Sequence, residues 1–385
     1  MKISILLVLA TIFISNVVNA KSLNIYSHRQ PYLLKPFIDA YIKKTGVELN
    51  VVYSSKGLAQ RLAAEGANSP ADLILTVDIA RLYRYEDLDL LANIDSKILN
   101  EKIPPYLRSK NNTWFGLSKR TRAIAVSKDR MNSGDVLRYE DLADPKLKGK
   151  ICSRPGSHVY NRALMASMIA AKGVSEAEKW AKGLVSNLAK RPQGNDRSQL
   201  KSIYSGECDV AIINHYYYGK LTYSKNSDHR KWAEASIIIF PNQGASDRGA
   251  HVNISGGGVV KFSKNKELAI NFLEFLVSEE AQILYGDVNF EYPINNSSKL
   301  PASNKSKPLS TNSLFFSNFS IPETNWLAPS IFALSSSDAQ AINKNIENIK
   351  SIFFIIYYLN FSFLFLILEF NTSSSQFLQM IRLVA

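Results

Sequence analysis

Three consecutive tyrosines, Tyr216, Tyr217 and Tyr218, follow the run VAIINH at 210–215. Phenolate oxygens are hard, anionic donors. A cluster of them suits a hard, highly charged cation such as Fe(III) better than Zn(II) or Cu(I). Residues 210–213 read as a short buried strand, so the tyrosines fall where the chain leaves the core. Strand ends beside a cleft are where α/β proteins place ligand contacts. The competing reading is an aromatic patch, with Tyr217 packed inward and its neighbours covering the surface. The triplet alone leaves both open.

The elements that must position these residues alternate. Residues 23–26, 47–53 and 71–75 read as strands, and residues 31–44 and 56–65 as amphipathic helices. Strand, helix, strand, helix at this spacing implies parallel pairing with right-handed crossovers, an α/β fold. Another strand is expected at 123–127. The pattern then restarts with a strand at Ile151, helices at 159–171 and 175–188, and a strand at 209–213. Strands at 237–240 and 251–260 follow, then one long helix over 266–285 with a 3.6-residue period. The chain passes from one α/β lobe to the other and back, which fits a hinged, two-lobe periplasmic-binding-protein fold with an interlobe cleft. The expected division is lobe one at 21–121 plus 251–295 and lobe two at 122–250, the lobe that carries the tyrosines.

Residues 1–20 have the layout of a secretory signal peptide. Lys2 precedes an apolar stretch at 3–14, and Val18-Asn19-Ala20 offers a small-residue cleavage site. A periplasmic location is therefore expected, with about 365 residues left for two domains with real cores. Only two cysteines occur, Cys152 and Cys208. A pair in an exported chain points to a disulfide rather than to a metal site or a catalytic thiol. Cys152 lies eight residues before Tyr160 and Cys208 eight before Tyr216, so a bridge would set those segments side by side.

The net charge is +13 and the sequence pI about 9.4. Lysine and arginine are scattered, and no basic segment interleaves with stacking aromatics, so nucleic-acid binding is not the reading. The charge fits solubility with a bias toward anionic ligands. No G-x-S-x-G or H-E-x-x-H signature appears, so an enzyme is not expected. Gly256-Gly257-Gly258 lacks the lysine and Ser/Thr of a P-loop, and close backbone packing where the chain crosses between lobes explains it.

Six motifs carry a resemblance over about residues 22–293. They are YSHRQPYL at 26–33, SPADLILTVD at 69–78, ICSRPGSHVYN at 151–161, PQGNDR at 192–197, ECDVAIINHYYYGKL at 207–221 and HVNISGGGV at 251–259. In this order the chain resembles the periplasmic iron(III)-binding proteins of bacterial ABC transporters, the transferrin-like ferric-binding family. The resemblance implies iron ligands at Tyr216 and Tyr217, with Tyr160 as a further tyrosine ligand and Tyr218 as packing. Relatives with a His-Tyr pair in the first motif use that histidine. Here Gln30 and Pro31 stand there, which implies three tyrosines completed by a small synergistic anion such as carbonate, or by water.

Candidate anion partners are Arg29 and Arg122, whose competing role is a salt bridge. Backbone N–H groups at Gly156 and Ser157, before the helix starting near His158, are also candidates. Asn195 and Asn214 are candidates for polar support, as is Gln30. His158, His215 and His251 lie near the site segments, where supporting or capping roles are expected. The implied partners are an inner-membrane ABC permease and its ATPase, and the expected state is a monomer. The rival reading is a solute-binding protein of the same fold for an oxyanion, polyamine or sugar. Residues 296–385 form an atypical tail, linker-like over 295–313 and apolar over 351–370. The apolar stretch reads either as a membrane anchor or as a segment foreign to the fold.

Overall fold

The structure is a computed structural model that describes residues 21–294. The expected signal peptide and the tail with its apolar stretch lie outside the described residues. Among the described residues, no helix is long and apolar enough to cross a membrane.

The chain runs β1 (Ser22–Ser27), α1 (Pro31–Thr45), β2 (Glu48–Tyr53), α2 (Leu58–Glu65), β3 (Leu73–Thr76), α3 (Ile79–Asp87) and α4 (Lys97–Lys102). It continues with β4 (Phe115–Ser127), β5 (Ile151–Cys152), α5 (Val159–Lys172), α6 (Val174–Ser186), α7 (Asp196–Tyr204) and β6 (Val210–Asn214). Then come α8 (His215–Thr222), α9 (Ser227–Glu234), β7 (Ser236–Ile239), β8 (Val252–Val259), α10 (Lys266–Leu276), α11 (Glu279–Asp287) and β9 (Tyr292–Pro293). Local chemistry sets the ends. Pro31 opens α1 and left-handed Gly46 closes it, returning its N–H to the Ile42 carbonyl. Asp78 caps α3 and Asn195 forms a capping box with Ser198 on α7.

β1 pairs in parallel with β2 and β3, the crossover geometry expected from the sequence. Apart from the parallel pair of β5 and β6, the rest of the sheet is antiparallel. β8 lies between β3 and β4, and β4 continues on to pair with β6 and β7. One strand therefore serves two halves. Residues 115–121 of β4 face β8, and residues 122–127 face β6 and β7. Apolar side chains follow that split. One core gathers around Leu23, Phe37, Ile74, Phe115, Ile254 and Phe272, and two smaller ones around Ile124, Leu164 and Val210 and around Ala125, Cys152 and Ile213.

Three expectations need correction. The strand expected at 123–127 begins at Phe115, because its first half (FGLSKRTR) carries buried polar and charged residues that break the apolar signal. The long helix expected over 266–285 is two helices. The Ser278 side chain accepts from the Ala281 N–H and starts a second helix after the first has ended at Leu276. Gly256–Gly258 sit between β3 and β4 inside the first sheet rather than at the crossing. A side chain there would meet backbone oxygens of Phe115, Ile74 and Thr113 at 2.5–2.8 Å, so the close-packing reading stands and its place shifts.

Candidate metal-binding cleft

β6 delivers Tyr216 and Tyr217 directly into the first turn of α8, and Tyr160 is the second residue of α5. β5 and β6 pair in parallel, and the Cys152–Cys208 disulfide ties the start of one segment to the approach of the other. The three phenols meet as a result. Tyr216 Oη donates to Tyr160 Oη at 3.1 Å, and the Tyr216 and Tyr217 rings lie 4.4 Å apart. Asn214 supports the group, its Nδ2 donating to Tyr216 Oη at 3.4 Å. Tyr218 turns away and donates to the Ser236 carbonyl at 3.2 Å. Burial pushes the Tyr216 phenol well above its ordinary range, and the neighbouring Tyr160 and Tyr217 push it further. Tyr217 is raised chiefly by burial as well. Without a cation Tyr216 and Tyr217 are therefore neutral phenols.

Behind Tyr160 stands a layer of guanidinium groups. Those of Arg154, Arg120 and Arg122 lie 5.0, 5.5 and 5.9 Å from its ring centre, within cation–π reach. The buried Asp196 carboxylate accepts from Arg122 Nη1 at 2.8 Å, Arg154 Nη1 at 3.1 Å and the Asn214 N–H at 2.7 Å. Arg122 Nη2 donates to Asn161 Oδ1 at 2.7 Å. The Arg122 fork is thus spent inside the protein, and the salt-bridge alternative describes it better than an anion contact.

Across the cleft, Arg29 Nη2 donates to Glu291 Oε2 at 2.8 Å and Ser255 Oγ at 2.7 Å. Burial raises the Glu291 carboxyl, but Arg29 overcomes this and holds it below the ordinary range. The remaining Arg29 nitrogen, Nη1, is buried with no hydrogen-bond partner. Arg120 Nη2 is also without a hydrogen bond and stands 4.0 Å from Asp78 Oδ2. The space enclosed is about 170 Å³. Its walls include Arg29, Gln30, Arg81, Arg120, Arg154, Arg197 and Lys220 together with the three tyrosines. A small cleft with hard oxygen donors on one side and guanidinium N–H groups on the other can hold a trivalent cation and an oxyanion together.

Residues 26–283 match the family described as bacterial extracellular solute-binding proteins. The chain belongs to that family. Iron uptake protein A1 of Synechocystis is 42% identical over 275 residues, covering 71% of this chain and 76% of the relative. The major ferric iron-binding protein of Neisseria meningitidis serogroup B is 30% identical, covering 71% and 81%. Among solved structures, a ferric binding protein from Campylobacter jejuni superposes with a TM-score of 0.73 at 38% identity, covering 84% of this chain and 99% of that one. A Trichodesmium protein solved with iron and citrate ligands gives 0.70 at 39%, covering 84% and 99%. These relatives are two-lobe solute-binding proteins rather than enzymes, and so is this one.

The other expected residues of this solute-binding protein fall as follows. Gly156 and Ser157 form the turn before α5, and Asn195 caps α7; none is a wall residue of the cleft among the described residues. The N-cap of α5 is His158, whose Nδ1 accepts from the Tyr160 N–H at 3.2 Å. His215 Nδ1 takes the Thr121 N–H at 3.1 Å, and His251 is buried at the crossing. Gln30 is exposed at the rim.

Sequence reasoning missed Arg120, Arg154, Arg197, Lys220, Asp196 and Glu291. Two carried a usable signal. Arg120 lies two residues from Arg122, on the same face of a strand, and Lys220 lies four residues from Tyr216, on the same face of a helix. Burial pushes Lys220 down to about 8 against the pull of Glu291.

Proposed function

We propose that this protein captures Fe(III) in the periplasm on the phenolates of Tyr160, Tyr216 and Tyr217, together with a small oxyanion such as carbonate. It then delivers the metal to an inner-membrane ABC permease and its ATPase. One observation carries the reading: the hydrogen bond between Tyr216 and Tyr160, with the Tyr217 ring 4.4 Å from that of Tyr216 on the same wall. Three phenolates balance the charge of Fe(III), and the printed names of relatives that take up or bind iron support the same cargo. Gln30 takes the place where related sites put a histidine, which leaves an all-oxygen donor set.

The anion is assigned to Arg29 and Arg120, which line the cleft and each offer a buried Nη group, at the tip of the guanidinium, without a hydrogen-bond partner. Lobe one (21–121 plus 251–295) would close on lobe two (122–250) about the β4 and β8 crossings once the metal is bound. Adding ferric citrate to the purified apo protein should produce a phenolate-to-iron charge-transfer band in the visible. No band with the natural sequence, or an undiminished band in Tyr216→Phe/Tyr217→Phe, overturns the proposal.

A second reading, capture of an oxyanion alone, is favoured by the arginines at 81, 120, 154 and 197. It predicts anion binding with no visible band.

A further inference from the structure

Behind the tyrosine helix lies a contact that the iron site does not itself require. Gly219 sits in mid-helix in α8, where glycine is a poor helix former. A methyl group there would stand 2.5 Å from Cδ1 of Phe290 and 3.0 Å from its Cγ. The ring of Phe290 therefore packs directly against the helix backbone, one turn from Tyr216. Phe290 holds a left-handed backbone at φ 58°, a conformation that non-glycine residues adopt only when their surroundings hold them there. Its ring also stacks on Tyr223, just past the end of α8, at 5.7 Å and 11°.

Two residues on, Tyr292 stacks on His215 at the start of α8, at 4.6 Å and 25°. Tyr216, Phe290 and Tyr292 form one buried cluster. Between these two rings, the Glu291 carboxylate reaches Arg29 at 2.8 Å and the Ser118 hydroxyl. Three successive residues thus grip both ends of the tyrosine helix and hold the cleft arginine. β9 anchors them, Tyr292 pairing with Lys119 and Pro293 with Ser118 of β4.

We propose that the segment Phe290–Glu291–Tyr292 is a positioning strap. From the first sheet it sets where Tyr216 and Tyr217 stand, and through Arg29 it couples their position to the oxyanion. The inference rests on the iron reading above. Metal affinity depends on the groups that orient the donors as well as on the donors. Here the orienting groups come from the sheet opposite the one whose strand delivers the tyrosines. Packing alone would give Phe290 a structural role, which ligand geometry would not report.

The test uses Phe290→Leu, which keeps an apolar side chain but removes the flat ring, and Gly219→Ala, which pushes the ring away. Each is compared with Phe262→Ala, a change at an exposed side chain remote from the cleft. The readouts are the position of the visible band with ferric citrate, the rate of iron loss to a competing chelator, and the melting temperature of the apo protein. Phe290→Leu and Gly219→Ala should each move the band and speed iron loss about 10–100-fold, the range for groups that orient metal ligands. Phe262→Ala should do neither.

If the natural protein shows the band and both variants keep its position and rate, the strap is wrong and the iron site stands, whatever the melting temperature does. If the natural protein shows no band, the iron reading falls and takes the strap with it. Should Gly219→Ala fail to fold, Phe290→Leu decides alone.

Discussion

The two walls of the cleft are built by opposite rules. On the tyrosine wall the donors touch each other, and two of the guanidinium groups behind them are tied to one buried carboxylate. Asp196 is shared by Arg122 and Arg154, and the disulfide joins the two segments that carry the phenols. On the opposite wall Arg29, and between the walls Arg120, which reaches from Ser255 to the Tyr160 ring, each keep a buried Nη group without a hydrogen bond, and Gln30 and Tyr32 are exposed at the rim. A preassembled set of phenols thus faces a cationic set with unmet hydrogen bonds. On the function proposed above, this is a division of labour: one wall would select the cation by donor chemistry, and the other would take the anion.

The comparison breaks most directly at the donors. Replacing both Tyr216 and Tyr217 with phenylalanine removes two of the three phenolates and keeps the packing. The band should vanish, and iron affinity should fall by more than about a thousandfold, read by competition with citrate. Acid should act on the same wall. Burial holds Tyr216 and Tyr217 above the ordinary phenol range, so both are protonated in the apo protein at neutral pH and must release those protons to iron. Affinity should therefore rise with pH, by about a hundredfold per pH unit if both protons leave. An affinity that is flat between about pH 6 and 8 would show that the phenols are not the donors.

Next in size come the groups that build the wall. Arg122→Gln leaves Asp196 with one buried partner fewer, and breaking such a pair costs about 3–5 kcal/mol. Arg120→Gln breaks a longer pair, 4.0 Å to Asp78 against 2.8 Å for Arg122 to Asp196, and should cost less stability while weakening iron retention in carbonate buffer about tenfold. Chemical denaturation and iron release on the two variants separate support from ligation. Equal stability losses would erase the distinction between the walls. Opening the disulfide by Cys152→Ala/Cys208→Ala frees a loop with a sequence separation of 56, for which the chain-entropy account gives about 4 kcal/mol.

Much of the tyrosine wall was legible because its residues sit in one short stretch. The strand 210–214 is five apolar-to-polar residues long and ends at the donors, and the cysteine pair marks the two segments that must meet. The opposite wall was less legible because its residues converge from far apart. Arg29 and Glu291 are 262 positions apart in sequence, and nothing local ties them together. The first half of β4 was missed for a related reason. Its side chains Lys119, Arg120 and Arg122 are buried at the crossing, so a fully buried strand reads as a polar loop. Arg122 stood open between an anion contact and a salt bridge because one guanidinium in a sequence looks like another. Only the carboxylate at Asp196 shows which of them is already satisfied.

The smallest expected effect concerns what the two walls share. His28 and His158 line the cleft, while His215 and His251 lie beneath it, and burial first of all pushes the first three down to about 4 and His251 to about 3. In the unfolded chain all four titrate near pH 6.5. Folded pKa values below the unfolded ones mean that the unfolded chain binds protons first as the solution is acidified. Stability is then fully present above about pH 6.5 and is lost as pH falls toward about 4. For the fully buried His215 and His251, the loss between pH 6.5 and 5.5 should be about 1 kcal/mol each. Denaturant midpoints of the apo protein at those two values measure it. His215→Gln should flatten the slope and shift the iron band without abolishing it, because that imidazole supports the wall by stacking on Tyr292 rather than by giving electrons to the metal. If the substitution abolishes the band, the imidazole is a donor, and the tyrosine wall is not an all-oxygen one.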